Sequence, residues 1–177
     1  MFDTQQFIAD CRAALQGDRA AFNVRAIVAG AVSDPPAVVK EFGEPGRGGI
    51  HTIHRSPELT IINVLWPVGQ IVMPHDHALW AVIGVYAGRE DNIIWRRLPG
   101  ESDGRIKAVE ALSLGEKDTM AFGSDVIHSV VNPVSRVTAA IHVYGGDFFS
   151  VQRSEWDPDS LRERPYDLQK VLRMFEK

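Results

Sequence analysis

Residues 70–88 read QIVMPHDHALWAVIGVYAG, and the reading of this stretch decides the fold. Two runs of strand-like residues, 70–73 and 79–86, flank a His-x-His pair. Side chains alternate along a strand, so His75 and His77 fall on one face with their Cα atoms about 6–7 Å apart, a spacing that lets two imidazoles reach one metal ion. Pro74 and the upstream Gly69 let the strand begin sharply.

The same texture extends outward. From His51 on, short runs rich in Val, Ile, Thr and Trp succeed one another at 51–55, 60–66, 70–73, 79–86, 90–97, 106–112, 118–122, 126–131, 137–144 and 147–151. Turn signals such as Ser-Pro-Glu, Pro-Val-Gly, Ala-Gly-Arg and Asn-Pro-Val separate them. Closely punctuated short strands point to an antiparallel sandwich or barrel, and about eight of them in two facing sheets make a jelly roll. Before them, Phe7, Ile8, Cys11 and Leu15 recur at helical spacing, as do Val24, Ile27, Val28 and Ala31, with Asp18 placed to cap the second helix. Ser33-Asp34-Pro35 predicts a short helix running to Phe42, and the glycine-rich stretch 43–49 a loop. From Asp157 the pattern returns to helix, with Leu168, Val171, Leu172 and Phe175 on one face. The expectation is one domain over 1–177: a helical segment 1–43, a β-barrel 50–155 and a helical tail 157–177.

Composition narrows the function classes. The 177 residues are 45% apolar and 24% charged, with a net charge of −4, and the mean hydropathy is −0.11. That balance suits a globular chain with one core and gives no electrostatic reason to expect nucleic acid or anionic lipid as partner. Arg153, Arg162 and Arg164 are interleaved with acids and read as a solvated surface. A single cysteine, Cys11, excludes an intramolecular disulfide and reads as a small buried hydrophobe. With no run long enough to span a membrane and no secretory layout at the N-terminus, the expected location is the cytoplasm.

Among six histidines, a third candidate ligand is His128, some fifty residues after the pair, in Val-Ile-His-Ser-Val-Val-Asn. Gly69-x5-His75-x-His77 followed by Gly88, then His128-x3-Asn132, resembles the two halves of the cupin motif. That motif normally carries a glutamate where this chain has Ala81 and Val82. A three-histidine cupin of this kind resembles the thiol dioxygenases, cysteine dioxygenase and 3-mercaptopropionate dioxygenase. Pro74-His-Asp-His-Ala-Leu-Trp80 is similar to the mercaptopropionate branch, and Ile127 to Pro133 and Ile141-His142-Val-Tyr144-Gly145 look like further family signatures. The match covers roughly residues 50–155 and is nearest a bacterial branch.

The resemblance implies a cupin barrel and Fe(II) held by His75, His77 and His128. It also implies a Ser-x-His-x-Tyr series that here reads Ala140, His142 and Tyr144, a relay shortened by the missing hydroxyl. Tyr144 is expected to donate a hydrogen bond to substrate or oxygen, with His142 orienting it. Two arginines match family positions for gripping a substrate carboxylate, Arg55 on the cysteine side and Arg153 on the mercaptopropionate side. Trp80 is a candidate substrate contact and, with Trp66, core or pocket wall. The cysteine that crosslinks to tyrosine in animal-type enzymes falls near Val82, so no thioether forms there. His51 and His54 read as strand-end surface residues on opposite faces, and Glu90-Asp91 as a solvated turn.

The chemistry agrees with the resemblance. Three neutral imidazoles leave up to three coordination positions open and carry one negative charge fewer than a two-histidine, one-carboxylate set. Such a centre favours an anionic ligand such as a thiolate and lowers the pKa of a thiol that binds it. Zinc, nickel or copper would also bind these ligands. The leading expectation is oxidation of a small thiol by O2 to its sulfinic acid. The alternatives are cleavage of a β-dicarbonyl compound, or a metal-containing cupin that binds a ligand without turnover.

Overall fold

The computed structural model describes residues 1–17, 19–100 and 103–175. Three helices come first, α1 (Thr4–Ala14), α2 (Ala20–Val32) and α3 (Pro35–Phe42). Asp3 caps α1 by accepting the Gln6 N–H at 2.8 Å, which satisfies one of the open donors of the first turn. Asp18, the expected cap of α2, lies outside the described residues. Asp34 precedes α3 but makes no side-chain cap; Pro35, its φ already helical, starts that helix.

Eleven strands follow among the described residues: β1 (Gly49–Arg55), β2 (Thr60–Trp66), β3 (Ile71–Asp76), β4 (Ala81–Ala87), β5 (Arg89–Arg97), β6 (Ile106–Gly115), β7 (Thr119–Phe122), β8 (Ile127–Val131), β9 (Thr138–Tyr144), β10 (Ser154–Trp156) and β11 (Glu163–Pro165). They form two antiparallel sheets, one in the order β1-β2-β9-β4-β7 and the other β11-β10-β3-β8-β5-β6. The expected jelly roll is therefore present.

Two expectations fail. Residues 147–151 are not a strand, although Phe148 and Phe149 suit one. The Asp147 carbonyl accepts the N–H groups of Ser150 and Val151, both at 3.2 Å, while its carboxylate takes the Phe149 N–H at 3.1 Å. A local turn thus outcompetes the ladder. The tail is not helical from Asp157 either. A turn closed by Leu161 N–H to the Asp157 carbonyl, 2.9 Å, returns the chain so that β11 pairs with β10. Helix α4 begins only at Leu168 and runs to Phe175, with Asp167 accepting the Lys170 N–H at 2.9 Å.

The five-stranded sheet is buried on both faces. Along β4, Ala81, Ile83 and Val85 face the lumen between the sheets, whereas Val82 and Tyr86 pack against Phe7, Cys11, Val24 and Val28 of the helices. Both faces being apolar, the strand reads as a continuous hydrophobic run. On the lumen side, Val171 and Phe175 of α4 pack against the same core as Trp66, so the C-terminal helix closes the barrel. The second sheet has one face toward the lumen, and its other face leaves Ile71 and Ile93 exposed.

The glycine ending β4 is set by close contact. Gly88 has φ +79°, and a Cβ there would lie 2.3 Å from the Thr138 hydroxyl oxygen. That hydroxyl accepts the Arg89 N–H at 2.9 Å and lies 3.0 Å from Asn132 Oδ1. Asn132 in turn donates to the carbonyls of Trp66, Pro67 and Arg136. Gly88 and Asn132 thus tie loops together at one end of the barrel, and neither contributes a ligand.

Candidate metal centre

Strands β3 and β8 pair with His75 directly opposite His128. An irregularity between Val72 and His75 shifts the register of β3, and β3 ends at Asp76, so His77 sits just past the ladder. Ala78, the next residue, adopts a left-handed φ of 52°, which turns the chain toward β4. A left-handed alanine costs about 1–3 kcal/mol and is retained only where the surroundings hold it.

The three rings converge. Their centroids are 4.6–5.1 Å apart, and one nitrogen from each lies within 4.8 Å of the others. All three residues are buried, at 6%, 3% and 1% exposure for His75, His77 and His128. Among the described residues no carboxylate joins the group. His75 Nδ1 is 2.8 Å from the Met73 carbonyl and His128 Nδ1 is 2.8 Å from Asn92 Oδ1. Both partners accept, so each Nδ1 carries the hydrogen and each Nε2 presents a lone pair, the usual arrangement behind a ligating histidine.

His128 Nε2 lies 3.2 Å from His77 Nε2. Two ligand nitrogens at about 2.1 Å from one ion, seen at a right angle, are about 3 Å apart. The cluster therefore fits a single divalent cation. Burial comes first among the causes that hold all three rings well below the usual histidine range, His75 at about 4. The neighbouring histidines add to the effect, and Arg153 does so for His75 and His77. Neutral imidazoles are what a metal requires.

Around the rings lies a small cavity of about 40 Å³, lined by the three histidines together with Trp66, His142, Tyr144, Phe148, Tyr166 and Phe175. Tyr144 packs edge-on against His77, centroids 5.1 Å apart, and its hydroxyl is 3.1 Å from His142 Nδ1. Burial pushes the Tyr144 phenol well above its ordinary range. Ala140, His142 and Tyr144 thus share the lumen face, as their spacing implies.

The two arginines part company. Arg55 forms a two-pronged ion pair with Asp147, both contacts 2.8 Å, and its side chain is 48% exposed. It lies outside the cavity wall. Arg153 has its guanidinium carbon 4.1 Å from the Phe148 ring centre and 4.3 Å from that of Tyr166. It donates to the Phe148 carbonyl, while its buried Nε and Nη2 have no hydrogen-bond partner. Phe148 stacks on Tyr144 at 4.3 Å, and Tyr166 packs on His75 at 5.6 Å. Arg153 therefore stands behind Phe148 and Tyr166, two residues of the cavity wall, but like Arg55 is not itself part of that wall; it faces a separate groove with Arg97, Ser154, Glu163 and Arg164. Its expected companions on the surface, Arg162 and Arg164, do pair with acids, Asp103 for the first, the buried Glu155 and the partly exposed Asp157 for the second.

Trp80 is not brought to the cavity. It packs with the helix-side cluster and lies so close over Gly145 that a Cβ there would be 2.0 Å from its indole. Trp66 does line the cavity. His51 is exposed, and an irregularity between Thr52 and His54 breaks the alternation expected of β1. His54 sits on the helix side, where burial first and the charge of Arg12 second lower its pKa. It does not line the cavity.

Glu90 is the residue that the sequence placed wrongly. It lies on β5 at 0% exposure, not on a solvated turn. Its Oε1 is 3.3 Å from His142 Nε2, and Oε2 is buried without a partner. Glu90 and Asn92 alternate inward on β5, and Arg89 and Asp91 pair on its outer face. The signal was available in that period-two pattern, hidden because Glu90 follows the turn glycine Gly88 directly.

No family model matches the chain. Several solved structures are similar to it. BH2720 from Bacillus halodurans aligns at 14% identity and a TM-score of 0.50, over 62% of this chain and 77% of that one. An RmlC-like cupin family protein with a double-stranded β-helix fold from Methanocaldococcus jannaschii aligns at 12% identity and 0.46, over 58% and 83%. Bacillus subtilis oxalate decarboxylase, described with Mn(II) centres, aligns at 22% and 0.44, over 59% of this chain but only 27% of that one. At such identities the likeness concerns the fold alone. The chain has the cupin fold, with helices at both ends of a barrel that holds a three-histidine group able to bind a metal. No helix among the described residues is long and apolar enough to cross a membrane.

Proposed function

We propose that the protein is a cytoplasmic Fe(II)-dependent dioxygenase that converts a small, carboxylate-bearing thiol, with cysteine and 3-mercaptopropionate as the model substrates, to its sulfinic acid: RSH + O2 → RSO2H. The observation that carries this reading is the donor set, three buried imidazoles without a carboxylate. An all-neutral ligand set leaves the full charge of a divalent ion to attract a thiolate. Bound there, iron(II) supplies the redox chemistry that dioxygen needs to react with a thiol.

The remaining parts belong to the chain. Arg153 offers its unpaired N–H groups to the substrate carboxylate, in the forked geometry that guanidinium and carboxylate share. Phe148 and Tyr166 pack against that guanidinium, their ring centres 4.1 and 4.3 Å from its carbon, and with Phe175 give the cavity an apolar wall. Tyr144, its ring edge-on to His77, offers a hydroxyl to bound substrate or oxygen. Arg55, already paired with Asp147, takes no part.

The test is oxygen uptake by iron-reconstituted protein given cysteine, cysteamine or 3-mercaptopropionate under reducing conditions, with sulfinate measured by mass spectrometry. Sulfinate formed in step with oxygen supports the reading. Uptake with a diketone and none with any thiol would replace it with dicarbonyl cleavage, and ligand binding without uptake would make the protein a binding module.

A further inference from the structure

Glu90 has no role in the chemistry described so far, yet its burial demands one. A carboxylate in a barrel interior is costly unless paired, and this one meets a single polar partner, His142, while its second oxygen meets none. His142 is itself 4% exposed and makes its two ring contacts in opposite directions, Nε2 to Glu90 and Nδ1 to the Tyr144 hydroxyl. The three groups form one line from β5 through β9 to the metal cluster. Residue 140, two positions before His142 on the same strand, is an alanine and offers it no anchor.

We propose that Glu90 is the positioning residue of this line, fixing the tautomer of His142 and through it the polarity of Tyr144. With Glu90 as the carboxylate, which accepts and cannot donate, and His142 as the neutral ring, the one ring hydrogen sits on Nε2, 3.3 Å from Glu90 Oε1. Nδ1 is then an acceptor, and the Tyr144 O–H turns toward it. Tyr144 consequently faces the substrate with an oxygen lone pair, accepting the S–H of the incoming thiol before it binds as the thiolate, in place of donating a hydrogen bond. The last step rests on the thiol reading above; the tautomer does not.

Histidine 15N NMR on the zinc-loaded protein tests it, with His142 assigned by its loss in H142Q. The expected spectrum shows hydrogen on Nε2 in the parent and a shift toward Nδ1 in Glu90→Leu, which removes the acceptor. A parent His142 bearing hydrogen on Nδ1, or a pattern unmoved by E90L, overturns the proposal; should E90L not fold, the parent spectrum alone decides. In the iron-loaded protein E90L should lower kcat about tenfold with KM for the thiol within about twofold. The E90L/Y144F double variant should be no slower than Y144F, whereas multiplying effects would show that Glu90 does not act through Tyr144. Absence of uptake by the parent protein would count against the thiol reading and leave the spectrum to judge Glu90.

Discussion

Asn92 on β5 supports His128 on β8, its Oδ1 2.8 Å from the ring Nδ1. The amide oxygen holds the hydrogen on Nδ1 and aims Nε2 at the cluster, where His77 Nε2 stands 3.2 Å away. Asn92→Ala should weaken metal binding about 10–100-fold, as measured by competition with a chelator. Asn92→Asp keeps an acceptor and should stay near the parent. His77→Ala should abolish stoichiometric loading, read by metal analysis; full loading in that variant would defeat the ligand assignment.

The arginines give opposite expectations. Arg153→Ala should raise KM for carboxylate-bearing thiols about tenfold or more and spare cysteamine, which has no carboxylate. Arg55→Ala should leave both KM values unchanged. Its ion pair is half-exposed, 48% on the arginine side, so solvent screens it and its loss should leave the urea midpoint close to the parent's. A raised KM in Arg55→Ala would reverse the assignment.

Gly88→Ala meets two penalties together, a left-handed φ of +79° and a Cβ 2.9 Å from the Thr138 backbone. Destabilisation above about 1 kcal/mol is expected in urea melts. A parent-like midpoint would show that the Gly88–Thr138 contact relaxes freely.

Cys11 has 0% exposure, and burial first, with Asp10 second, raises its pKa from 9.0 to about 12. The native thiol should resist alkylation at pH 8 and react once urea unfolds the chain. Because the unfolded thiol ionises first, its stabilising contribution is complete below pH 9.0 and declines as pH rises toward about 12, by at most about 1.4 kcal/mol per pH unit. Cys11→Ala should therefore lose less stability than the parent between pH 9 and 11.

Much of this was legible in one dimension. The strand β2 has the bounds its residues imply, 60–66, because Pro67 and the Ser-Pro-Glu turn punctuate it sharply. The jelly roll follows from the closely punctuated strands and the His75–His77 pair from spacing, while His128 joined them through the resemblance to the cupin motif. The turn at Asp147 was not legible, since Phe148 and Phe149 suit a strand and only the Asp147 carboxylate diverts them. Nor was the inward face of β4, because both its faces are apolar and alternation then carries no contrast.

What the sequence determined by itself is the set of identities: three histidines at 75, 77 and 128, Ala81 and Val82 where the cupin motif it resembles carries a glutamate, and alanine at 140. Those are identities, and identities do not depend on the fold. The tertiary structure decided which groups meet them. It gave Arg55 to Asp147 and placed Arg153 between Phe148 and Tyr166. It withdrew Trp80 to the helix side and delivered Glu90 to His142. Each of those outcomes depends on a turn, a register shift or the burial of a second face. Such features arise from contacts between distant segments, and no local pattern records them.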